Sequence, residues 1–257
     1  MEGIDRLVII GADEIGARIE RLFLKAGLKV RLEKEDCLQE LADADVFLEA
    51  LSGDIEPRKE VLRKCDEKAS PKAILATTAS WGITEIAMAS RRPERVVGVN
   101  FTFNPSQEGC LVQIVKGLET SEKSVETCRR LVEETGAVVV VVEDSPGLIL
   151  DRVMAAVINE AATMHATRAA MMDDIDRVTK SCLNWPMGPF EFADTIGIDK
   201  VLATLEILCQ QEGPQFLPSR LLRQMVATGR LGRKTGKGFY TYRVEEGAHG
   251  IQKHNVR

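Results

Sequence analysis

The stretch "RLVIIGADEIGARIERLFLKAG", Arg6 to Gly27, decides the fold. An apolar run rich in β-branched residues ends at Gly11, the loop "GADEIG" follows, and apolar residues then recur at helical spacing. A strand passing through a glycine turn into a helix opens a β-α-β unit. Working outward, "KVRLE", "DVFLEA", "AILAT", "RVVGV", "LVQIV" and "AVVVVVE" each suit a buried strand, and "SEKSVETCRRLVEETG" suits a helix between two of them. The alternation predicts an α/β region with a mostly parallel sheet. It breaks at "DSPGLILDRV", where Ser145-Pro146-Gly147 signals a turn. Almost everything from 148 to about 228 reads as helix, apart from a loop at "NWPMGP". The reading is therefore two domains, 1–146 and an all-helical 147–243. The polar tail 244–257 is expected to be flexible.

The composition narrows the classes. Net charge is −5 over 257 residues, with a pI near 5.5, which argues against a nucleic-acid partner. No apolar stretch reaches the ~20 residues of a membrane helix. The start lacks the features of a signal peptide, so a cytoplasmic protein is expected. The six cysteines (37, 65, 110, 128, 182 and 209) show no CxxC pairing and read as reduced, apolar thiols.

"GADEIG" sits where a Rossmann-type dinucleotide fingerprint, G-x-G-x-x-G, would lie. Gly11 and Gly16 hold the outer positions, but the central glycine is Asp13. A charge about 4 Å from a pyrophosphate costs on the order of 4 kcal/mol at an effective dielectric near 20. Two readings follow: a weakened NAD site, or glycines that serve only the turn and the helix packing. At the end of the second strand, Glu33 or Glu35 could hold ribose hydroxyls, and Lys34 between them is either a 2′-phosphate contact or a solvated charge. Which residue faces the pocket depends on register.

Further motifs carry a family resemblance. "ADADVFLEA", "RPERVVGVNF", "FNP", "EDSPGLILDRV", "NEA", "PMGPFEFADTIGID" and "GRLGRKTGKGFYTY" occur in order from about Arg6 to Tyr242. Over that span the chain resembles the 3-hydroxyacyl-CoA dehydrogenases. The resemblance implies a Rossmann domain followed by a helical substrate and dimerisation domain. It also implies NAD-dependent interconversion of 3-hydroxyacyl-CoA and 3-ketoacyl-CoA, with a histidine base oriented by a glutamate.

Here the implied catalytic positions have changed. The histidine falls on Asn100, which cannot accept a proton near neutral pH, and the glutamate falls on Gln113. The substrate-holding asparagine falls on Asp151, and Thr77 and Thr78 are the nearest hydroxyls in the turn after the fourth strand. His165 lies in a helix, and His249 and His254 lie in the tail, so no substitute dyad is evident. A helical hairpin usual in the family is missing between the second and third strands. Lys59, beside Arg58, could reach the cofactor or be a solvated helix charge. "GRKTGKG" could meet a CoA phosphate or be a basic turn.

The first expectation is a degenerate homologue with weak or lost hydride transfer, or a non-catalytic subunit, binding an acyl-CoA-like small molecule. It would be a homodimer through the helical domain or a heteromer with an active homologue. The alternative is an active NAD-dependent enzyme with an altered mechanism, using water held by Asn100, Gln113 and Asp151. A third reading makes Asp151 an acid or base for other chemistry; its plainer role is a first-turn helix residue favoured by the dipole and paired with Arg152 or a neighbour.

Overall fold

A computed structural model describes residues 6–35, 44–103, 110–243 and 252–254. It divides into two compact units, 1–148 and 149–257.

In the first unit the strands are β1 (Arg6–Ile10), β2 (Lys29–Glu33), β3 (Val46–Glu49), β4 (Ile74–Thr77), β5 (Val96–Phe103), β6 (Cys110–Lys116) and β7 (Val138–Glu143). Every predicted strand is present. They form one sheet in the order β2-β1-β3-β4-β5-β6-β7, parallel throughout except for the β5–β6 pair. β3 and β4 are buried at every position, as strands covered on both faces must be, which explains their unbroken apolar runs. The helices are α1 (Glu14–Lys25), α2 (Ile55–Lys68), α3 (Ile83–Ala87) and α4 (Glu122–Glu133). Ile19 and Phe23 of α1 pack on one face of the sheet, and Val61, Leu62 and Cys65 of α2 on the other.

Asp66, at the end of α2, accepts hydrogen bonds from Ser90 Oγ, the Arg91 amide and the Arg92 guanidinium. Burial alone would raise its carboxyl, but these bonds hold it below the usual aspartate range. Its folded pKa is thus depressed, so its contribution to stability is present above about pH 4 and is lost as pH falls through the folded value. Asp66→Asn should therefore flatten the acid limb of a stability-versus-pH curve. An unchanged acid limb would show that the bracket adds nothing.

The second unit holds α5 (Leu150–Ala166), α6 (Met172–Leu183), α7 (Pro189–Ile196), α8 (Ile198–Glu212) and α9 (Arg220–Ala227), around a core that includes Ile158, Phe190, Leu205 and Leu208. A two-stranded ribbon joins β8 (Thr241–Arg243) to β9 (Gln252–His254). The sequence reading did not foresee β9; the rest of the expected flexible tail, 244–251 and 255–257, lies outside the described residues. No helix among the described residues is long and apolar enough to cross a membrane.

Candidate functional site

The candidate residues of the first unit gather at the carboxyl ends of its parallel strands, where open α/β sheets bind ligands. Gly11 takes φ +124°, and a Cβ there would lie 2.7 Å from the Ala50 carbonyl oxygen. A Cβ on Gly16 would fall 1.8 Å from the Gly11 oxygen. Both glycines are thus required by the turn and by its packing.

Asp13 behaves differently from a bare intruding charge. It is the N-cap of α1, and its Oδ1 accepts from the Ile15 and Gly16 amides, both at 3.0 Å. Its Oδ2 accepts from Ser52 Oγ at 2.8 Å. A pyrophosphate bound at this helix would need those same amides. As folded, the chain's own carboxylate stands on these amides, so a pyrophosphate would have to displace it, which accords with the weakened NAD site expected from the sequence.

Register also resolves the second strand. Glu33 pairs with Ile10, and its carbonyl accepts from the Gly11 amide, so Glu33 ends β2 beside the glycine turn. Its carboxylate pairs with Arg31 at 2.6 Å, while Lys34 is exposed beyond the strand. Lys59 is held by Glu56 at 2.8 Å and Glu85 at 2.5 Å, both of which raise its pKa. This side chain is a surface ion pair, which favours the plainer of its two readings.

The neighbouring arginine is the structurally committed one. Arg58, 8% exposed, donates to both oxygens of Glu49 at 2.9 Å and to the Leu51 carbonyl. Glu49, 2% exposed, also accepts from the Leu51 amide and from Thr77 Oγ1, each at 2.5 Å. Thr77 is fully buried and committed to this network, so it does not present its hydroxyl to a ligand, against the expectation for it. Thr78 is half-buried, and Arg58 reaches its Oγ1 at 3.4 Å. The Thr78 carbonyl accepts from Asn100 Nδ2 at 3.2 Å.

Asn100 and Gln113 stand directly opposite each other in the β5–β6 ladder, and so project from the same face as cross-strand neighbours. Asn100 is half-buried and Gln113 is 3% exposed. The structure thus brings together the two residues that the resemblance paired. Asn104 and Pro105 of "FNP" lie outside the described residues.

Asp151 belongs to the second unit, in the first turn of α5. It does not pair with Arg152, which instead bonds Glu212 at 2.8 Å and lies over the Phe216 ring. Desolvation raises the Asp151 carboxyl, with Lys200 pulling it the other way. In the basic turn, Lys234 pairs with Asp199 at 2.6 Å and Arg233 stacks over Tyr242. That turn is largely spent on its own unit.

Sequence reasoning missed two buried aspartates that organise this unit. Asp176 accepts from the Phe190 and Glu191 amides and from Tyr240 Oη. Asp194 accepts from the Phe239 and Tyr240 amides and from Tyr242 Oη. Burial pushes both carboxyls up, opposed by these hydrogen bonds. They explain why "PMGPFEFAD" and "GRKTGKGFY" occur together: the first motif supplies Asp194 and the second its donors. Among the described residues no cluster fit for a metal ion is found.

Comparison with known proteins agrees with this fold. Residues 147–242 match the model for "3-hydroxyacyl-CoA dehydrogenase, C-terminal domain". Residues 31–145 match "3-hydroxyacyl-CoA dehydrogenase, NAD binding domain", a match that begins past the glycine loop. The chain is 38% identical over 214 residues to a probable 3-hydroxybutyryl-CoA dehydrogenase of Bacillus subtilis, covering 82% of this chain and 74% of that protein. It is also 38% identical over 206 residues to a 3-hydroxybutyryl-CoA dehydrogenase of Clostridioides difficile, covering 79% and 73%. The crystal structure of (S)-3-hydroxybutyryl-CoA dehydrogenase from Ralstonia eutropha superposes with a TM-score of 0.89 at 28% identity, over 94% of this chain and all of that one.

Proposed function

We propose a function from one premise: this chain belongs to the 3-hydroxyacyl-CoA dehydrogenase family. It is an oxidoreductase that interconverts 3-hydroxyacyl-CoA and 3-ketoacyl-CoA by a proton route without imidazole. NAD is the cofactor; in this reading Glu33, at the end of β2, would meet the adenosine ribose, and Asp13 would compete with the pyrophosphate.

The observation that carries the reading is the Asn100–Gln113 pair, set face to face at the expected place in an otherwise retained dehydrogenase fold. An amide can donate a hydrogen bond to a substrate oxygen but cannot take its proton. The half-buried Thr78 hydroxyl can donate as well. Proton transfer is therefore left to water. A positioned general base is worth about 10²–10⁴ in rate, and turnover should fall below that of a histidine-bearing relative by about that factor.

A second reading is favoured by the combination of Asn100, Gln113 and the self-capped Asp13. In it the chain is a non-catalytic member that binds an acyl-CoA-like ligand or serves as the silent subunit of a heteromer. In either case the helical unit supports self-association or pairing with a homologue. Val153 on α5 and Val178 and Leu183 on α6 are more than half exposed, giving that unit an apolar surface. Burial pushes the free thiols Cys65, Cys110 and Cys128 up to about 12, 11 and 12, so they serve as inert apolar side chains; a cytoplasmic location remains part of the proposal from the sequence.

The test is NADH oxidation with acetoacetyl-CoA, in the native protein and in an Asn100→His, Gln113→Glu double variant. Slow native turnover that rises by about 10² or more in the double variant is expected. Native turnover at background would favour the non-catalytic reading. Fast native turnover, unimproved by the double variant, would mean that a base elsewhere does the work.

A further inference from the structure

We propose that Asp13 is a built-in occupant of the anion slot at the start of α1, and that with Ser52 it sets the affinity of this unit for pyrophosphate-bearing nucleotides. The inference rests on the functional reading above for its ligand class, and it deepens that reading by naming what controls the site.

The amino end of a helix attracts anions because its first amides lack partners and the helix dipole is positive there. In this 12-residue helix three of those amides are already engaged. Ile15 N and Gly16 N both donate to Asp13 Oδ1, and Ala17 N donates to the Asp13 carbonyl. A free N-cap carboxylate could swing aside easily, but this one is tied at its other oxygen. Ser52 Oγ holds Oδ2, and Ser52 follows Leu51, whose amide and carbonyl are fixed by Glu49 and Arg58. The contact therefore latches the β1–α1 turn to the loop after β3.

A pyrophosphate competes with this latch twice over. It needs the same two amides, and it brings negative charge against Asp13, with the exposed Glu14 beside it. To dock, it must displace a carboxylate that loses two charge-assisted amide bonds and the Ser52 bond. A nucleoside without phosphate makes no claim on the slot. The latch thus discriminates between ligands by their phosphates, and Asp13 is its specificity-determining residue.

The experiment measures NADH, ADP and adenosine affinities, by nicotinamide fluorescence and by displacement, for the full chain and for Asp13→Gly, Asp13→Asn and Ser52→Ala. A thermal melt confirms that each variant is folded. Asp13→Gly empties the slot, and should tighten NADH and ADP by about tenfold or more while leaving adenosine unchanged. Asp13→Asn keeps an equivalent cap without the charge, and should fall between Asp13→Gly and the native chain. Ser52→Ala, which only frees one oxygen, should give a smaller gain. Measurable NADH binding that is equal in the native chain and Asp13→Gly would overturn the latch while leaving the dehydrogenase reading standing. Binding of NADH by neither would overturn the latch and remove NAD from the functional reading as well. An equal gain for adenosine would show a general loosening of the crevice, and would also overturn the latch.

Discussion

Asp194→Ala should destabilise the helical unit by about 3–5 kcal/mol, because it leaves several buried donors without their acceptor. Asp194 is 1% exposed, so its partners are shielded from bulk water. The substitution strands two backbone amides, Phe239 N and Tyr240 N, and the Tyr242 hydroxyl, bonded at 2.8, 2.9 and 2.9 Å. Each orphaned buried donor costs about 1–3 kcal/mol, and their losses overlap because relaxation around one relieves the others. The surrounding glycines show how closely the site is built. A Cβ on Gly238 would lie 1.9 Å from Asp194 Oδ1, and one on Gly232 would lie 2.3 Å from the Asp194 carbonyl oxygen. Asp194→Asn retains one acceptor and should cost less than Asp194→Ala. Denaturant unfolding decides the matter: a loss under about 1 kcal/mol for the alanine variant would mean that the three donors find other partners.

How much of this was legible in the sequence differs between backbone and side chains. Seven strands could be read because they appear as short β-branched apolar runs; β3 and β4, buried at every position, show why such a run is unbroken, while "VVVVV" in the edge strand β7 reads as a strand by its β-branched residues alone. The Asn100–Gln113 juxtaposition was legible only through the family resemblance, since nothing local in "GVNFTF" says which residue of a later strand lies opposite. Asp13 was visible, but its capping role went unread. An aspartate just before a helical run is a strong N-cap signal, and the expectation of a glycine at that position drew attention to its charge instead. The Asp176 and Asp194 sites were hidden for a physical reason. Their donors include Tyr240 and Tyr242, 64 and 46–48 residues away in sequence. Only tertiary packing brings such groups together.

The Glu49 network left a clue in the sequence. A carboxylate in "VFLEA", otherwise apolar and buried at every strand position, requires a partner, and Arg58 lies nine residues on. Arg58→Met should accordingly destabilise the first unit by about 3–5 kcal/mol, because it leaves the Glu49 charge without its counterion. The Leu51 amide and Thr77 hydroxyl would still bond Glu49, but neither carries a positive charge. The double change Glu49→Gln, Arg58→Met removes both charges, and should recover a substantial part of the loss, as replacing a whole buried pair commonly does. This non-additivity separates an ion pair from two independently important side chains, for which the losses would simply sum. The same variants bear on the site, because Thr78, which Arg58 reaches, carries the carbonyl that holds Asn100. Arg58→Met, assayed while still folded, should therefore reduce the rate gained by introducing histidine at position 100. If that gain is undiminished, the pair supports the sheet but does not position the site.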